Sequence, residues 1–241
     1  MTFHAVINPS NGPGGPCPNS DYVPALAELN SITNIQTLAY VHTANSTEST
    51  HICGDGKDPC PCSRNLADLE LDISTWQHWN NASACGGDYH IDGIFFDESP
   101  SDANCTAYMS SATAFAKKTL MYPSTVLFNA GTKVDPSYWS IADYINVFEN
   151  ADTAYWSANI SALDDFGRYS TQSTMIIHDY VEGSKQLRED VATILSFEQD
   201  AMAGLYITDL SVYSEFPTDF MCLVGDVAKV VEANKAYAAK Q

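Results

Sequence analysis

Basic residues are scarce in this sequence. Of its 241 residues only 11 are Lys or Arg, against 30 that are Asp or Glu, and the formal net charge is −19. Because binding to phosphate groups requires basic patches, nucleic acid and anionic lipid are poor candidate partners, whereas a neutral or cationic partner remains open. The sequence also has no run approaching 18 consecutive apolar residues, so we predict no membrane-spanning helix.

Several motifs of cofactor-dependent and nucleophilic enzymes are also missing. The first predicted strand is followed by Asn11-Gly-Pro-Gly-Gly-Pro16, which has prolines where a phosphate-binding loop needs free N–H groups. The sequence contains neither the H-E-x-x-H pattern of zinc enzymes nor the G-x-S-x-G turn of serine hydrolases. We therefore expect a protein without a cofactor and without a bound metal.

The composition is that of a folded protein. Hydrophobic residues make up 45% and charged residues 17%, and the length suits one domain over residues 1–241. Short apolar runs, rich in Ile, Val, Phe and Tyr, lack strict alternation with polar residues, which indicates strands buried on both faces of a parallel sheet. The predicted strands are His4–Ile7, Ile35–Val41, Ile91–Phe96, Thr125–Phe128, Tyr144–Phe148, Met175–Ile177 and Gly204–Ile207.

Segments with helical spacing of apolar residues lie between these runs. Alternation of strand and helix predicts right-handed β-α-β crossovers, and therefore either a closed barrel or an open doubly wound sheet. Polar residues follow nearly every strand, which favours a single (β/α)8 TIM-type barrel of the α/β class, with loop insertions stapled by disulfides. Ala154–Trp156 is a weak candidate for the eighth strand. The predicted helices are Asp21–Asn30, Leu66–Trp79, Thr106–Leu120, Ser184–Asp200 and Leu223–Lys240.

Seven cysteines and four glycosylation acceptors indicate an oxidising compartment. The run Cys53–Cys62 has the spacing C-x6-C-x-C, which lacks the paired C-x2-C clusters of zinc sites and favours disulfides that staple a long loop. Because seven is odd, at least one thiol is free or pairs outside the chain. We expect a secreted or cell-wall-associated protein, trimmed of a signal peptide ahead of Phe3. The acceptors are Asn45, Asn81, Asn104 and Asn159.

Polar residues stand at or just past the carboxyl end of each predicted strand. In a (β/α) barrel these ends converge on one mouth, where the active site lies. Turn and helix-capping roles explain Asn8, Asn129 or Asp209 individually, but they explain Glu149 poorly because Glu is not a preferred cap. The complete set is Asn8, His42, Asp97, Glu98, Asn129, Glu149, His178, Asp179 and Asp209.

The strand Ile91–Phe96 ends in two acids, Asp97 and Glu98, which is costly unless they reach solvent or a substrate. Glu149 adds a third carboxyl group at the predicted mouth. Paired carboxyls are what glycoside hydrolysis requires, since one protonates the leaving oxygen and the other attacks or activates water. We predict these three as catalytic residues, with Asp97 and Glu149 as nucleophile and acid in an open order and Glu98 orienting or modulating one of them.

Aromatic residues are plentiful near the predicted mouth loops, and sugar rings stack on such side chains. The candidates include Tyr138, Trp139, Tyr155, Trp156, Tyr180, Tyr206 and Tyr213. A metal site built from His42, His178, Asp97 and Asp179 is an alternative to sugar binding by the histidines. The predicted substrate-binding residues are Asn8, His42, Asn129, Trp139, His178, Asp179, Tyr180, Tyr206 and Asp209.

The chain resembles the spherulin-4 family in His4–Pro9 with Gly12–Gly14, Leu38–Thr43, Ile91–Glu98, Val126–Gly131 and the strand that ends at Glu149. The resemblance implies a secreted fungal (β/α)8 glycoside hydrolase that cleaves galactosaminogalactan, a wall and biofilm polymer with α-1,4-linked N-acetylgalactosamine. The acidic cluster of that family maps onto Asp97, Glu98 and Glu149. The Cys53–Cys62 insertion departs from the family pattern and leaves the shape of the subsites open.

On this basis we expect an endo-acting glycosidase, a monomer, whose polysaccharide substrate contains N-acetylgalactosamine and is partly deacetylated in some forms. Two other classes stay open. One is a non-catalytic barrel that binds wall polysaccharide. The other is a metal-dependent polysaccharide deacetylase or amidohydrolase, whose activity a chelator would abolish.

Overall fold

Strands and helices alternate along the chain in the computed structural model, which describes residues 1–44, 62–120, 124–197 and 201–240. The strands are β1 (Phe3–Ile7), β2 (Ile35–His42), β3 (Gly93–Asp97), β4 (Thr125–Asn129), β5 (Tyr144–Ala151), β6 (Ser173–His178) and β7 (Gly204–Ile207). The helices are α1 (Tyr22–Asn30), α2 (Leu66–Trp79), α3 (Ala82–Cys85), α4 (Thr106–Thr119), α5 (Asp152–Tyr155), α6 (Ser184–Leu195) and α7 (Phe220–Ala238). Short 3-10 helices cover Ala103–Cys105, Pro136–Ser140 and Ile160–Ala162.

The predicted α/β class and parallel strand pairing are confirmed. Within the described part of the chain the sheet has seven strands, and their order follows the sequence. No eighth strand occurs among those residues, so the closed eight-stranded barrel stays a prediction. The suggestion that Ala154–Trp156 forms a strand is wrong, because Asp152–Tyr155 is the short helix α5 and Trp156 continues its last turn.

The chain divides into two compact units, which we describe separately. The first unit comprises Thr2–Asn129 and Asp135–Asp143, and the second comprises Ala130–Val134 and Tyr144–Gln241 together with Met1. The prediction of one domain over residues 1–241 stays a prediction.

In the first unit, β1 to β4 pair in parallel, with His42 opposite Asp97 and Phe96 opposite Phe128. Consecutive residues of β3 and β4 are buried, as their continuous apolar sequences indicate, whereas Val6 of β1 is exposed. Phe96 and Phe128 are fully buried and meet edge to face with ring centroids 5.8 Å apart. Each such side chain contributes about 1.5–3 kcal/mol through burial.

Helix α2 shows how the sequence builds this unit. Asn65 caps its first turn by accepting a hydrogen bond from the Ala67 N–H at 3.0 Å. Leu69, Ile73 and Trp76, spaced by four and three residues, form its buried face. The indole N–H of Trp76 donates to the Tyr40 carbonyl oxygen at 3.1 Å, so the helix is fixed to β2.

Disulfides staple the loops of the first unit, as predicted. Cys17 is joined to Cys85, and Cys62 is joined to Cys105, which ties the residues ahead of α2 to the start of α4. Among the described residues, Cys222 is a free and exposed cysteine. Cys53, Cys60 and the acceptor Asn45 lie outside the described residues.

In the second unit, β5, β6 and β7 pair in parallel. Helix α6 buries Leu187, Val191 and Ile194 along one face. Asp226 on α7 is buried, and its carboxylate accepts hydrogen bonds from Arg188 of α6 and from Lys229. Across the described residues of both units, no helix combines the length and the apolar character needed to cross a membrane.

Candidate active site

The Asp97 carboxylate is held from both sides by neighbouring strands of the first unit. The Tyr40 hydroxyl, on β2, donates to Asp97 Oδ2 at 2.6 Å, and the Asn129 amide, at the end of β4, donates to Asp97 Oδ1 at 2.7 Å. The carboxylate is half-buried. Short charge-assisted hydrogen bonds of this kind fix its orientation. Asn129 and Asp97 meet because parallel strands bring their carboxyl ends to one edge of the sheet.

Glu98 follows in an unusual backbone conformation, with φ at 51°. The left-handed region costs a residue other than glycine about 1–3 kcal/mol, and such strain is concentrated at functional sites. The Thr43 hydroxyl lies 2.9 Å from the Asp97 carbonyl oxygen and 2.7 Å from the Glu98 carbonyl oxygen, which supports this turn. The turn directs two consecutive carboxyl groups into different surroundings.

The Glu98 side chain is 44% exposed, yet its pKa is raised above the ordinary value. Partial burial is the larger cause, and the negative charge of Asp97 adds to it. Glu98 therefore holds a proton to higher pH than a free glutamate does. A group of this kind can act as a general acid.

The His42 imidazole is buried beside Glu98. Its Nε2 lies 3.3 Å from Glu98 Oε2, but the two atoms are not aligned for a hydrogen bond, and Nε2 is buried without a hydrogen-bond partner among the described residues. Burial lowers the pKa of His42, and the positive charge of Arg64 lowers it further. The ring is therefore neutral near pH 7 and offers a buried polar atom next to the carboxyl groups.

Arg64 links the backbone of His42 to helix α2. Its guanidinium donates to the His42 carbonyl oxygen at 2.9 Å and to Asp72 on α2 at 2.7 Å. The Tyr108 hydroxyl donates to the Arg64 carbonyl oxygen at 2.9 Å, and burial raises the pKa of that hydroxyl to about 12. Sequence reasoning missed Tyr40, Thr43 and Arg64. Tyr40 lies inside β2, Arg64 does not follow a strand, and Thr43, although it follows β2, acts through a hydroxyl bound to backbone oxygens.

The first unit thus brings together four predicted site residues, His42, Asp97, Glu98 and Asn129. The other two predicted residues of this unit have local structural roles. Asn8 accepts a hydrogen bond from the Gly12 N–H at 3.0 Å, which is the turn role considered for it. Trp139 is buried in the 3-10 helix Pro136–Ser140. Their predicted contact with substrate stays a prediction.

In the second unit, Glu149 lies on β5 just after an irregularity in the sheet. The pairing with β6 shifts register between Asn146 and Phe148, so that Glu149 is opposite Ile176. Bulges of this kind redirect side chains at functional sites. The Glu149 N–H donates to the Gly131 carbonyl oxygen at 3.1 Å, and the Tyr213 hydroxyl donates to Glu149 Oε1 at 2.6 Å.

The other predicted residues of the second unit occupy different environments. His178 Nδ1 lies 2.6 Å from Asp179 Oδ2, and both groups are partly exposed. The Tyr180 hydroxyl donates to buried Asp190 at 2.6 Å, and burial together with that carboxylate raises its pKa. Burial also raises the pKa of Tyr206.

Asp209 accepts a hydrogen bond from the Thr218 N–H at 3.0 Å, and hydrogen bonding to Thr218 lowers its pKa. Asp209 and Tyr180 both line a cavity of about 210 Å³. The structure therefore associates these two predicted residues with one cavity, while their role toward a substrate stays a prediction.

A metal site was the alternative use of the histidines. Within the described part of the chain, one group of three potential ligands lies close enough to share an ion, and it consists of Cys17, His78 and Cys85. Two of these ligands form a disulfide with each other. His42, Asp97, His178 and Asp179 do not form such a group among the described residues.

The fold and the residues at the strand ends define a class: a parallel α/β protein that places carboxyl groups past β3 and within β5. More specifically, the chain belongs to spherulation-specific family 4 (Spherulin4), whose profile matches residues 1–227. It is 26% identical over 211 residues to Spherulin-4 of Physarum polycephalum, covering 85% of this chain. The chain spans about half of that relative's length, 54%.

Two solved structures are similar to this chain. The crystal structure of Aspergillus clavatus Sph3 in complex with GalNAc is similar with a TM-score of 0.76 and 26% identity, over 95% of this chain and 86% of that one. A chitinase (RmChi1) from Rhizomucor miehei is similar with a TM-score of 0.56 and 11% identity, over 95% of this chain and 93% of that one. The second likeness concerns the fold alone.

Proposed function

We propose that the protein is a secreted glycoside hydrolase that cleaves α-1,4-linked N-acetylgalactosamine within a polysaccharide of the galactosaminogalactan type. The observation that carries this proposal is the pair Asp97 and Glu98. One carboxylate is fixed by two donors, and its neighbour has a raised pKa. Hydrolysis of a glycosidic bond needs one carboxyl group that is protonated and one that is not.

In this proposal Glu98 is the general acid that protonates the leaving oxygen, which differs from the modulating role expected from the sequence. The reason is its raised pKa and partial exposure. Asp97, held by Tyr40 and Asn129, stabilises positive charge on the sugar or supports attack by the substrate's own 2-acetamido carbonyl. Glu149 is the third catalytic carboxyl group of the proposal, as the family resemblance implies.

His42 supports a sugar ligand in particular. A buried ring nitrogen without a hydrogen-bond partner in the described part of the chain is costly, at about 1–3 kcal/mol, unless a ligand supplies the partner. A sugar hydroxyl is a donor and an acceptor, and it suits neutral imidazole. Sph3, the structural relative at 26% identity, was crystallised with GalNAc, which supports the same class of ligand here.

Secretion is part of the proposal, and two disulfides together with Asn81, Asn104 and Asn159 support an oxidising compartment. A closed (β/α)8 barrel, a single domain and a monomeric state are proposed with it. The seven parallel strands in chain order support the barrel.

The test measures reducing-end release, acetate release and product mass from purified α-1,4-N-acetylgalactosamine oligomers, in parallel reactions with and without EDTA. Wild type is compared with Glu98→Gln, Asp97→Asn and Glu149→Gln, each expected to lose roughly a hundredfold to ten-thousandfold in activity. Glu28→Gln, on the exposed face of α1, is the control and should keep full activity.

Three outcomes separate the classes of function. Shorter oligosaccharides from wild type but not from the three variants support a carboxylate glycosidase that works without added metal. Binding without cleavage by wild type and variants alike indicates a polysaccharide-binding protein. Release of acetate that EDTA abolishes indicates a metal-dependent deacetylase.

A further inference from the structure

We infer that Tyr213 is a positioning residue for Glu149 and that its exposed ring is a stacking surface for a sugar unit of the substrate. The inference rests on the proposed function, in which Glu149 is a working carboxylate. It concerns a side chain in the loop between β7 and α7, far along the sequence from Glu149.

The hydroxyl of Tyr213 makes a short contact with the Glu149 carboxyl group. The distance from Tyr213 Oη to Glu149 Oε1 is 2.6 Å, within the range of charge-assisted O–H···O⁻ bonds. Glu149 is held on its backbone side by Gly131, whose carbonyl oxygen accepts from the Glu149 N–H at 3.1 Å. The carboxyl group is therefore restrained at both its backbone and its side-chain end.

The loop that carries Tyr213 is tied down at both ends. Asp209 accepts from the Thr218 N–H at 3.0 Å, which closes the loop across nine residues. Near its start, the Leu210 carbonyl oxygen accepts from the Asp179 N–H at 3.2 Å. These bonds fix the base of the loop, so the position of Tyr213 follows from the fold of the second unit.

The ring of Tyr213 lies edge-on to a neighbouring tyrosine ring, and half of the residue's surface is exposed. Its centroid lies 6.3 Å from that of Tyr206 on β7, at an interplanar angle of 61°. Tyr213 is nevertheless 50% exposed, and its loop neighbours Val212 and Phe216 are 55% and 78% exposed. Clustered exposed apolar side chains mark interaction and ligand-binding surfaces, and this loop exposes three of them within five residues.

A pyranose ring is the occupant that fits this surface. Its C–H face packs on an aromatic ring, while its hydroxyl groups need polar partners nearby. Tyr213 presents an aromatic face joined to a hydroxyl that already contacts a carboxyl group of the proposed reaction. Tyr213 thus links the binding of a sugar ring to the orientation of the Glu149 carboxyl group.

The two roles are separable by substitution. Tyr213→Phe keeps the ring and removes the hydroxyl, so kcat should fall about tenfold to a hundredfold while KM stays within about twofold. Tyr213→Ala removes both, so kcat should fall similarly and KM should also rise, by roughly fivefold to tenfold. Tyr237→Phe and Tyr237→Ala, at an exposed tyrosine near the end of α7, are the matched controls and should leave both constants unchanged.

An unchanged kcat in Tyr213→Phe overturns the positioning role, and equal KM values for the Phe and Ala variants overturn the stacking role. Melting temperatures of all variants identify any that fail to fold, and the Phe variant keeps the packing of the loop.

If wild type cleaves nothing, the proposed function fails, and two further measurements still test Tyr213. Calorimetry should show weaker binding of N-acetylgalactosamine oligomers to the Ala variant than to the Phe variant. A crystal structure of Tyr213→Phe should show a changed Glu149 rotamer, and an unchanged rotamer overturns the positioning role.

Discussion

Asn129 donates a hydrogen bond of 2.7 Å from its side-chain amide to Oδ1 of Asp97. The bond links the last residues of two adjacent parallel strands, whose register puts Phe128 opposite Phe96 just before them. A side-chain amide does not titrate in the working pH range, so Asn129 orients Asp97 without changing its own charge. Tyr40 does the same at Oδ2.

Removing either donor should lower activity without removing the carboxylate. For Tyr40→Phe and Asn129→Ala we expect kcat to fall about tenfold each, because a charge-assisted hydrogen bond is worth about 1.5–3 kcal/mol and part of that loss is recovered by water. The double variant should fall further. Steady-state kinetics on N-acetylgalactosamine oligomers measures this.

Tyr138→Phe is the control for these variants. It removes a hydroxyl of the same type, but one that donates to the Asp102 carbonyl oxygen at 2.8 Å instead of to a carboxylate. Its stability should fall while kcat stays near the wild-type value. Equal losses of kcat in Tyr138→Phe and Tyr40→Phe would show that lost packing, and not the hold on Asp97, explains the effect.

The raised pKa of Glu98 has two causes that a single substitution separates. Asp97→Asn removes the neighbouring negative charge, so the pKa of Glu98 should fall. It should remain above the ordinary value because burial, the larger cause, is still present. Carboxyl carbon-13 titration of wild type and variant measures this directly, and an unchanged pKa in Asp97→Asn would contradict the stated role of Asp97.

The same pKa predicts a dependence of stability on pH. A carboxyl group whose pKa is raised by folding binds more protons in the folded state, so the free energy of unfolding decreases as pH rises from the unfolded value, about 4.5, through the folded one. Glu98→Gln should remove this decrease. From acidic pH to a pH above that window, the variant should therefore lose less free energy of unfolding than wild type loses. Urea unfolding from pH 4 to pH 7 tests the sign. A variant curve parallel to that of wild type would refute it.

How much of this could be read from the sequence depends on where each residue stands. Asp97, Glu98 and Asn129 follow uninterrupted apolar runs, and that pattern is sufficient to place them at strand ends. Tyr40 lies inside a strand, and the register of β2 with β3 brings it to Asp97. Arg64 lies 22 residues after His42, and no sequence pattern indicates that its guanidinium reaches the His42 carbonyl oxygen.

Other features depend on geometry that a sequence pattern does not carry. The register shift between Asn146 and Phe148 could not be predicted, because β5 contains no glycine or proline that would indicate a bulge. The pairing of Cys62 with Cys105 could not be chosen among the many connectivities that seven cysteines allow. Tyr213 was visible as an aromatic residue near a predicted loop, but nothing in the sequence indicated that its hydroxyl reaches Glu149.

The disulfide between Cys62 and Cys105 should stabilise the fold measurably. It spans 43 residues, and closing a loop of that length in the unfolded chain is worth roughly 4 kcal/mol in the chain-entropy account. The double variant Cys62→Ser/Cys105→Ser should therefore unfold at a clearly lower urea concentration. Cys222→Ser is the control, because that cysteine is exposed and free, and its midpoint should equal that of wild type. Equal midpoints for both variants would mean that the disulfide leaves stability unchanged.

Gly131 combines backbone conformation with contact to Glu149. Its φ is +63°, and a Cβ at this position would lie 3.3 Å from the Glu149 Cβ. Gly131→Ala should therefore cost about 1–2 kcal/mol of stability through its left-handed backbone and should also displace Glu149, lowering kcat.

Gly167→Ala separates the two effects, because Gly167 has φ +81° and an added methyl group there would meet no atom of the described residues within 4 Å. Both variants should lose similar stability in urea unfolding, and only Gly131→Ala should lose kcat. A kcat loss of the same size in Gly167→Ala would attribute the effect to general loosening of the second unit and not to the position of Glu149.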